Sequence, residues 1–170
     1  MKTMKLLALL FATGLGGMGL ALAHNDSVGA APMLLADSVR EANSRFQDVA
    51  VAEREGYAPI PCASGADGGA MGIHYVNAAL IGDGPVDVAK PQAVMYEPTE
   101  DGTLELVAVE YITTKGPASL GGHLFNFTGA PNRYGLPAFY ELHVWAWKRN
   151  PSGLFADMNP NVSCDAMTGH

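Results

Sequence analysis

The sequence predicts an α+β fold: one N-terminal amphipathic helix packed on a curved antiparallel sheet of about four strands, with long loops and one disulfide. Three observations predict it. A helical apolar stripe appears early in the chain. Four later segments alternate apolar and polar residues with period two. Helical and extended patterns do not alternate along the chain, which argues against a doubly wound sheet.

The helix comes first. Ser38-Val39-Arg40-Glu41 fits a capping box, with Ser38 as N-cap and Glu41 at the third helical position. Val39, Ala42, Phe46, Val49 and Ala50 recur at three- and four-residue steps and form one stripe. Glu41 and Arg45 are spaced for an i,i+4 ion pair. Gly56 supplies the stop. The expected helix runs from about Ser38 to Glu55.

The segment "YAPIPCASGADGGAMG" (57–72) reads as irregular, because Pro59 and Pro61 forbid helix and the glycines loosen the rest. Four strands follow: "GIHYVN" (72–77), "QAVMYEP" (92–98), "LELVAVEYI" (104–112) and "AFYELHVWAW" (138–147). Glu100-Asp101-Gly102 makes a short hairpin turn between the second and third. Thr113 to Pro137 reads as a long loop bordering the functional face, because it carries His123, Phe125, Phe127 and Arg133. The segment from Lys148 is turn-rich.

The first residues read as a targeting segment. Lys2 and Lys5 precede the apolar run "LLALLFATGLGGMGLALA", and Ala21-Leu22-Ala23 is a small-x-small cleavage site. Residues 1–23 are therefore expected to be a secretory signal peptide, and 24–170 a single domain of about 147 residues. The expected location is periplasmic or secreted. No later stretch approaches the ~20 apolar residues that span a bilayer, so no membrane partner is expected after cleavage.

The chain carries 10 basic and 17 acidic residues and a formal charge of −7. It has no basic cluster, so nucleic acid and anionic membranes are poor partners and neither is expected. Its two cysteines, Cys62 and Cys164, are expected to pair, as an even number does in an exported chain.

The last strand holds the chemistry. On its alternation, Phe139, Glu141, His143, Trp145 and Trp147 share one face, while Tyr140, Leu142, Val144 and Ala146 share the other. The first face puts an acid and an imidazole among aromatic rings. Two ionisable groups are costly to bury and three rings are costly to expose, so a lined cleft is expected there. Glu110 ends the row Leu104, Leu106, Ala108 on the third strand and needs a partner, a proton or water. His74 and His123 complete the set.

Imidazoles and carboxylates are the usual ligands of transition metals. Hence His74, His123, His143, Glu110 and Glu141 are candidate ligands for a divalent ion (Zn, Cu, Fe or Ni), with Phe139, Trp145 and Trp147 lining a ligand pocket. The partner is then a small molecule or a metal ion; the sequence sets no oligomeric state. His24, the mature N-terminal residue on this cleavage, offers an α-amino group and an imidazole together. The loop "SGADGGAMG" (64–72) could offer N–H groups to an anion, but it matches no phosphate-binding signature. Ser/His/Asp catalysis has no signature here.

At "GGAMGIHYVN", "LVAVEYI" and "NRYGLPAFYELHVWAW" the chain resembles a group of uncharacterised small exported bacterial proteins. The resemblance covers most of the mature chain, from the helix to the C-terminal cysteine. It implies a bacterial, periplasmic or secreted location and assigns no catalytic residue. Three functions fit these readings: a module that binds a metal ion or small ligand without turnover, a metal-dependent enzyme using the His/Glu cluster, and a structural or interaction domain.

Overall fold

The computed structural model describes residues 27–65 and 68–167. The expected signal peptide and His24 lie outside the described residues, as does part of the loop at 64–72. Two helices precede eight strands. Helix α1 is Ser27–Asn43, a 3-10 turn covers Ser44–Gln47, and helix α2 is Val49–Arg54. The strands are β1 (Ala58–Ser64), β2 (Ala70–Val76), β3 (Ala93–Pro98), β4 (Leu104–Thr113), β5 (Ser119–Leu120), β6 (His123–Leu124), β7 (Asn126–Thr128) and β8 (Phe139–Val144). Among the described residues no helix is long and apolar enough to cross a membrane.

The α+β class stands, but the sheet has six strands, ordered β1-β2-β3-β4-β8-β7, rather than about four. Every neighbouring pair is antiparallel. The expected hairpin turn joins β3 to β4, with Gly102 in the left-handed region. The two extra strands lie where the sequence suggested loop. β1 contains Pro59 and Pro61, which are tolerated because β1 is an edge strand and needs only one side of its hydrogen-bonding ladder. β7 forms the opposite edge, inside the expected long loop. The same loop also holds β5 and β6, which pair with each other as a separate small sheet.

The helical region also departs from the expectation. The helix begins well before Ser38, which is an exposed mid-helix residue and not an N-cap. The apolar stripe starts earlier too, at Leu35 and Ala36. The helix breaks near Asn43, whose side-chain amide donates to the Val39 carbonyl and to the Val88 carbonyl, both at 2.9 Å. Asp48 restarts it by accepting from the Ala50 amide. With the helix broken, Arg45 no longer sits one turn below Glu41 and pairs with Glu55 instead, at 2.9 Å. Gly56 does end the helical region, with φ +89°.

Both faces of the sheet are covered. On one, Leu35, Val39 and Phe46 pack against Tyr96, Tyr111 and Leu142. Fully burying a side chain of this kind contributes roughly 1.5–3 kcal/mol. Three phenols are fixed there by donating to helix or loop carbonyls: Tyr57 to Pro91, Tyr96 to Phe46 and Tyr111 to Val88. On the other face, Trp145 and Val162 from the C-terminal segment pack over Ala70, Met95, Val107 and Ala108. The Cys62–Cys164 disulfide, with Cα atoms 5.9 Å apart, ties that segment to β1 as expected.

Candidate metal centre

Strand register assembles the centre on the second face. Glu110 of β4 is directly opposite His143 of β8. On its other side Glu110 faces Ala93 of β3. His74 of β2 pairs with Met95, on the far side of β3. Ala93, opposite Glu110, is small, and the side chains of His74 and Glu110 meet diagonally across β3. Gly72 admits the close pairing of β2 with β3 beside His74: its φ is +89°, and a Cβ there would lie 2.5 Å from the Tyr96 carbonyl oxygen.

One nitrogen each of His74 and His143 and a carboxylate oxygen of Glu110 all lie within 4.8 Å of one another. Oε2 of Glu110 is 3.4 Å from Nε2 of His74 and 3.8 Å from Nε2 of His143. The three side chains are 0–1 % exposed. Yet among the described residues Nε2 of both imidazoles, Nδ1 of His143 and Oε1 of Glu110 have no hydrogen-bond partner. A buried polar atom without a partner costs about 1–3 kcal/mol, and a cation between these side chains could satisfy the inward-facing ones.

The surrounding groups set the electrostatics. Asp157 Oδ1 is 3.4 Å from Nδ1 of His143. Tyr134 donates its phenolic hydrogen to Oε2 of Glu110, and its ring packs edge-on against His74 and Phe139. Nδ1 of His74 has two neighbours, the Gly72 carbonyl oxygen at 3.3 Å and Nη1 of Arg133 at 3.1 Å. Arg133 is anchored by Nη2, which donates to the Pro61 carbonyl oxygen at 2.5 Å.

These surroundings move the ionisation. Burial holds His74 well below the usual imidazole range, and the Arg133 and His143 charges push the same way. Burial raises Glu110 to about 8; His143 opposes this and Glu141 adds to it. Burial would lower His143, but Glu110, Asp157 and Glu141 outweigh it and raise the imidazole. Hydrogen bonding to His143 lowers Asp157. His74, Glu110 and His143 together form a two-His-one-carboxyl group that could hold a metal ion.

Five of the residues expected at the site are placed differently. His123 is not in the cluster: it belongs to the separate β5–β6 sheet, and its ring lies 4.2 Å from that of Phe155. Glu141 neighbours Glu110 but accepts from Thr128 Oγ1 at 2.5 Å and offers no atom to the three-residue group. The tryptophans do not line a pocket with His143. β8 ends at Val144, so alternation stops there. Trp145 packs in the second-face core and donates Nε1 to the Ala156 carbonyl, whereas Trp147 turns to the helix face. Together they border a cavity of about 380 Å³ with Met33, Ala36 and Arg40 of α1. Phe139 is fully buried against Tyr134 and walls the centre without opening it. In place of the expected cleft, the centre is sealed.

Arg133, Tyr134 and Asp157 were missed as site residues. All three lie outside regular structure, so no periodicity places their side chains. The one signal for Arg133 and Tyr134 was the density of aromatic and charged residues in the loop before β8; Asp157, in the turn-rich segment after β8, had none. No family model matches the chain, and no curated protein or solved structure matches it.

Proposed function

We propose that this chain is an exported metal-binding module whose ion sits between His74, Glu110 and His143. One observation carries the reading: three fully buried side chains bring donor atoms within 4.8 Å of one another, and among the described residues Nε2 of both imidazoles and Oε1 of the carboxylate lack a hydrogen-bond partner. Asp157 beside Nδ1 of His143 supports it, because a carboxylate there holds Nδ1–H and turns the Nε2 lone pair inward. A bound ion would supply positive charge to a carboxylate that burial otherwise keeps protonated. The closed, dry setting favours binding without turnover over a metal-dependent enzyme, since catalytic ions keep an open position for substrate. A periplasmic or secreted location belongs to this reading; the disulfide is compatible with it, and so is the resemblance to small exported bacterial proteins.

The test is metal analysis of the purified protein before and after chelation, with Zn, Cu, Fe and Ni then offered back. About one ion per chain is expected in the wild type, and none in His74→Ala or His143→Ala. If the wild type takes up no metal, or if both variants retain it, the reading fails and a structural role for the cluster takes its place.

A further inference from the structure

We infer that Tyr134 is a fourth protein ligand, and that the centre is built for a hard, trivalent ion, Fe(III), held by two imidazoles, one carboxylate and one phenolate. This rests on the three-residue centre proposed above and goes beyond it in ligand and in ion.

The phenol is committed to the centre. Among the described residues its hydroxyl has one hydrogen-bond partner, Oε2 of Glu110, the same oxygen that lies 3.4 Å and 3.8 Å from the two imidazole nitrogens. Its position is fixed from several sides. The ring packs on His74 and Phe139 with centroids at 6.2 and 5.4 Å. The neighbouring residue, Arg133, is pinned to the Pro61 carbonyl. Asn132 braces the turn by accepting from the Tyr134 and Leu136 amides, both at 3.2 Å. The Tyr134 oxygen therefore sits over the carboxylate on the side that the loop closes.

Ion chemistry follows from the donors. A phenol buried against a carboxylate loses its proton only to a strong Lewis acid. When it does, the Oη–H bond breaks, the electron pair stays on oxygen and forms the bond to the ion, and the proton leaves to water together with the one held by Glu110. No redox change is involved, because the iron enters as Fe(III). Two anionic oxygen donors balance most of a 3+ charge in a site with little access to water. Soft ions gain less from them, since thiolate and thioether ligands are what select such ions. Tyrosinate is an established iron ligand in haem proteins.

The experiment offers ferric citrate to chelator-stripped protein and reads iron content, visible absorption and resonance Raman spectra. Bound Fe(III) is expected to give a phenolate-to-iron charge-transfer band in the visible, and excitation into that band is expected to enhance tyrosinate ring modes. Tyr134→Phe should lose the band and bind Fe(III) more weakly by at least ~10–100-fold, the loss that removal of even an outer-shell partner brings. The same variant should still take up Zn. Tyr57, Tyr96 and Tyr111 donate to carbonyls elsewhere and cannot replace it. The wild-type Raman spectrum decides the matter without the variant, should Tyr134→Phe fold poorly. Stoichiometric iron without the band, or a band that survives in Tyr134→Phe, overturns the inference. Uptake of Zn but not of Fe(III) overturns it while leaving the three-residue centre standing. Uptake of no metal overturns both.

Discussion

Asp157 Oδ1 lies 3.4 Å from Nδ1 of His143, so a half-exposed carboxylate backs a fully buried imidazole. That contact sets a carboxylate beside Nδ1 and leaves Nε2 to face Glu110. Asp157→Asn keeps the shape of the side chain and removes its charge. The variant is expected to bind the ion about 10–100-fold more weakly with the fold intact, which titration against a competing chelator will measure. An unchanged affinity would show that His143 is oriented by its strand alone.

Arg133 should act in the opposite direction. Its guanidinium stands 3.1 Å from Nδ1 of His74, where it repels an incoming cation and competes with the Gly72 carbonyl for that nitrogen. Arg133→Met is expected to tighten metal binding by at least about tenfold. The same chelator competition reads it. Weaker binding in Arg133→Met would mean that the side chain serves mainly to hold the loop closed.

Stability of the metal-free protein should fall as pH rises from about 6.5 to 8. Glu110 is raised to about 8 when folded, whereas an unfolded glutamate titrates near ~4.3. Between those values the folded chain holds a proton that the unfolded chain has released, so raising the pH favours unfolding. His143, also raised, acts in the same sense as pH climbs through its folded value. His74 is lowered, so it opposes the trend only below ~6.5, where the unfolded imidazole takes a proton that the folded one refuses. Asp157 is lowered and Tyr134 raised, so both titrate outside the window. Urea midpoints measured in chelator should decline across it, and Glu110→Gln should flatten the slope. A level wild-type profile would count against a buried, protonated Glu110.

The disulfide should contribute strongly to stability. It joins residues 102 apart, for which loop-closure entropy gives an upper figure of ~4–5 kcal/mol. Denatured, unreduced protein should show no free thiol, and Cys62→Ser/Cys164→Ser should unfold at clearly lower urea. Two titratable thiols in the unreduced protein would contradict the pairing.

The parts of the centre that were legible in the sequence are those carried by strands. His74, Glu110 and His143 each sit at alternating positions of a period-two segment, and alternation fixes the face of the sheet. Glu110 was conspicuous as a carboxylate ending an apolar row. Their register was not legible, because pairing depends on the bulge between Met95 and Tyr96 and on turns of several lengths. His123 joined the set on residue type alone, and its placement in the β5–β6 pair removes it. Trp147 followed an alternation that stopped when β8 ended at Val144. β1 was hidden by Pro59 and Pro61, which read as loop unless the strand is known to be an edge. The helix start was misread because Ser38 and Glu41 fit a cap that the upstream residues made unnecessary.

The Cys62–Cys164 bond has a topological consequence. His74, Glu110, Tyr134, His143 and Asp157 all fall between the two cysteines, so every residue assigned to the centre belongs to one covalently closed ring. A single peptide-bond cleavage anywhere in that ring opens it into two chains that stay joined through the disulfide. A protease that nicks the exposed turn at Arg133 therefore releases no ligand from the others, and the halves can re-form the centre as one species at any dilution. Separation takes two chemically distinct events, a cut and a reduction, and an oxidising surrounding withholds the second.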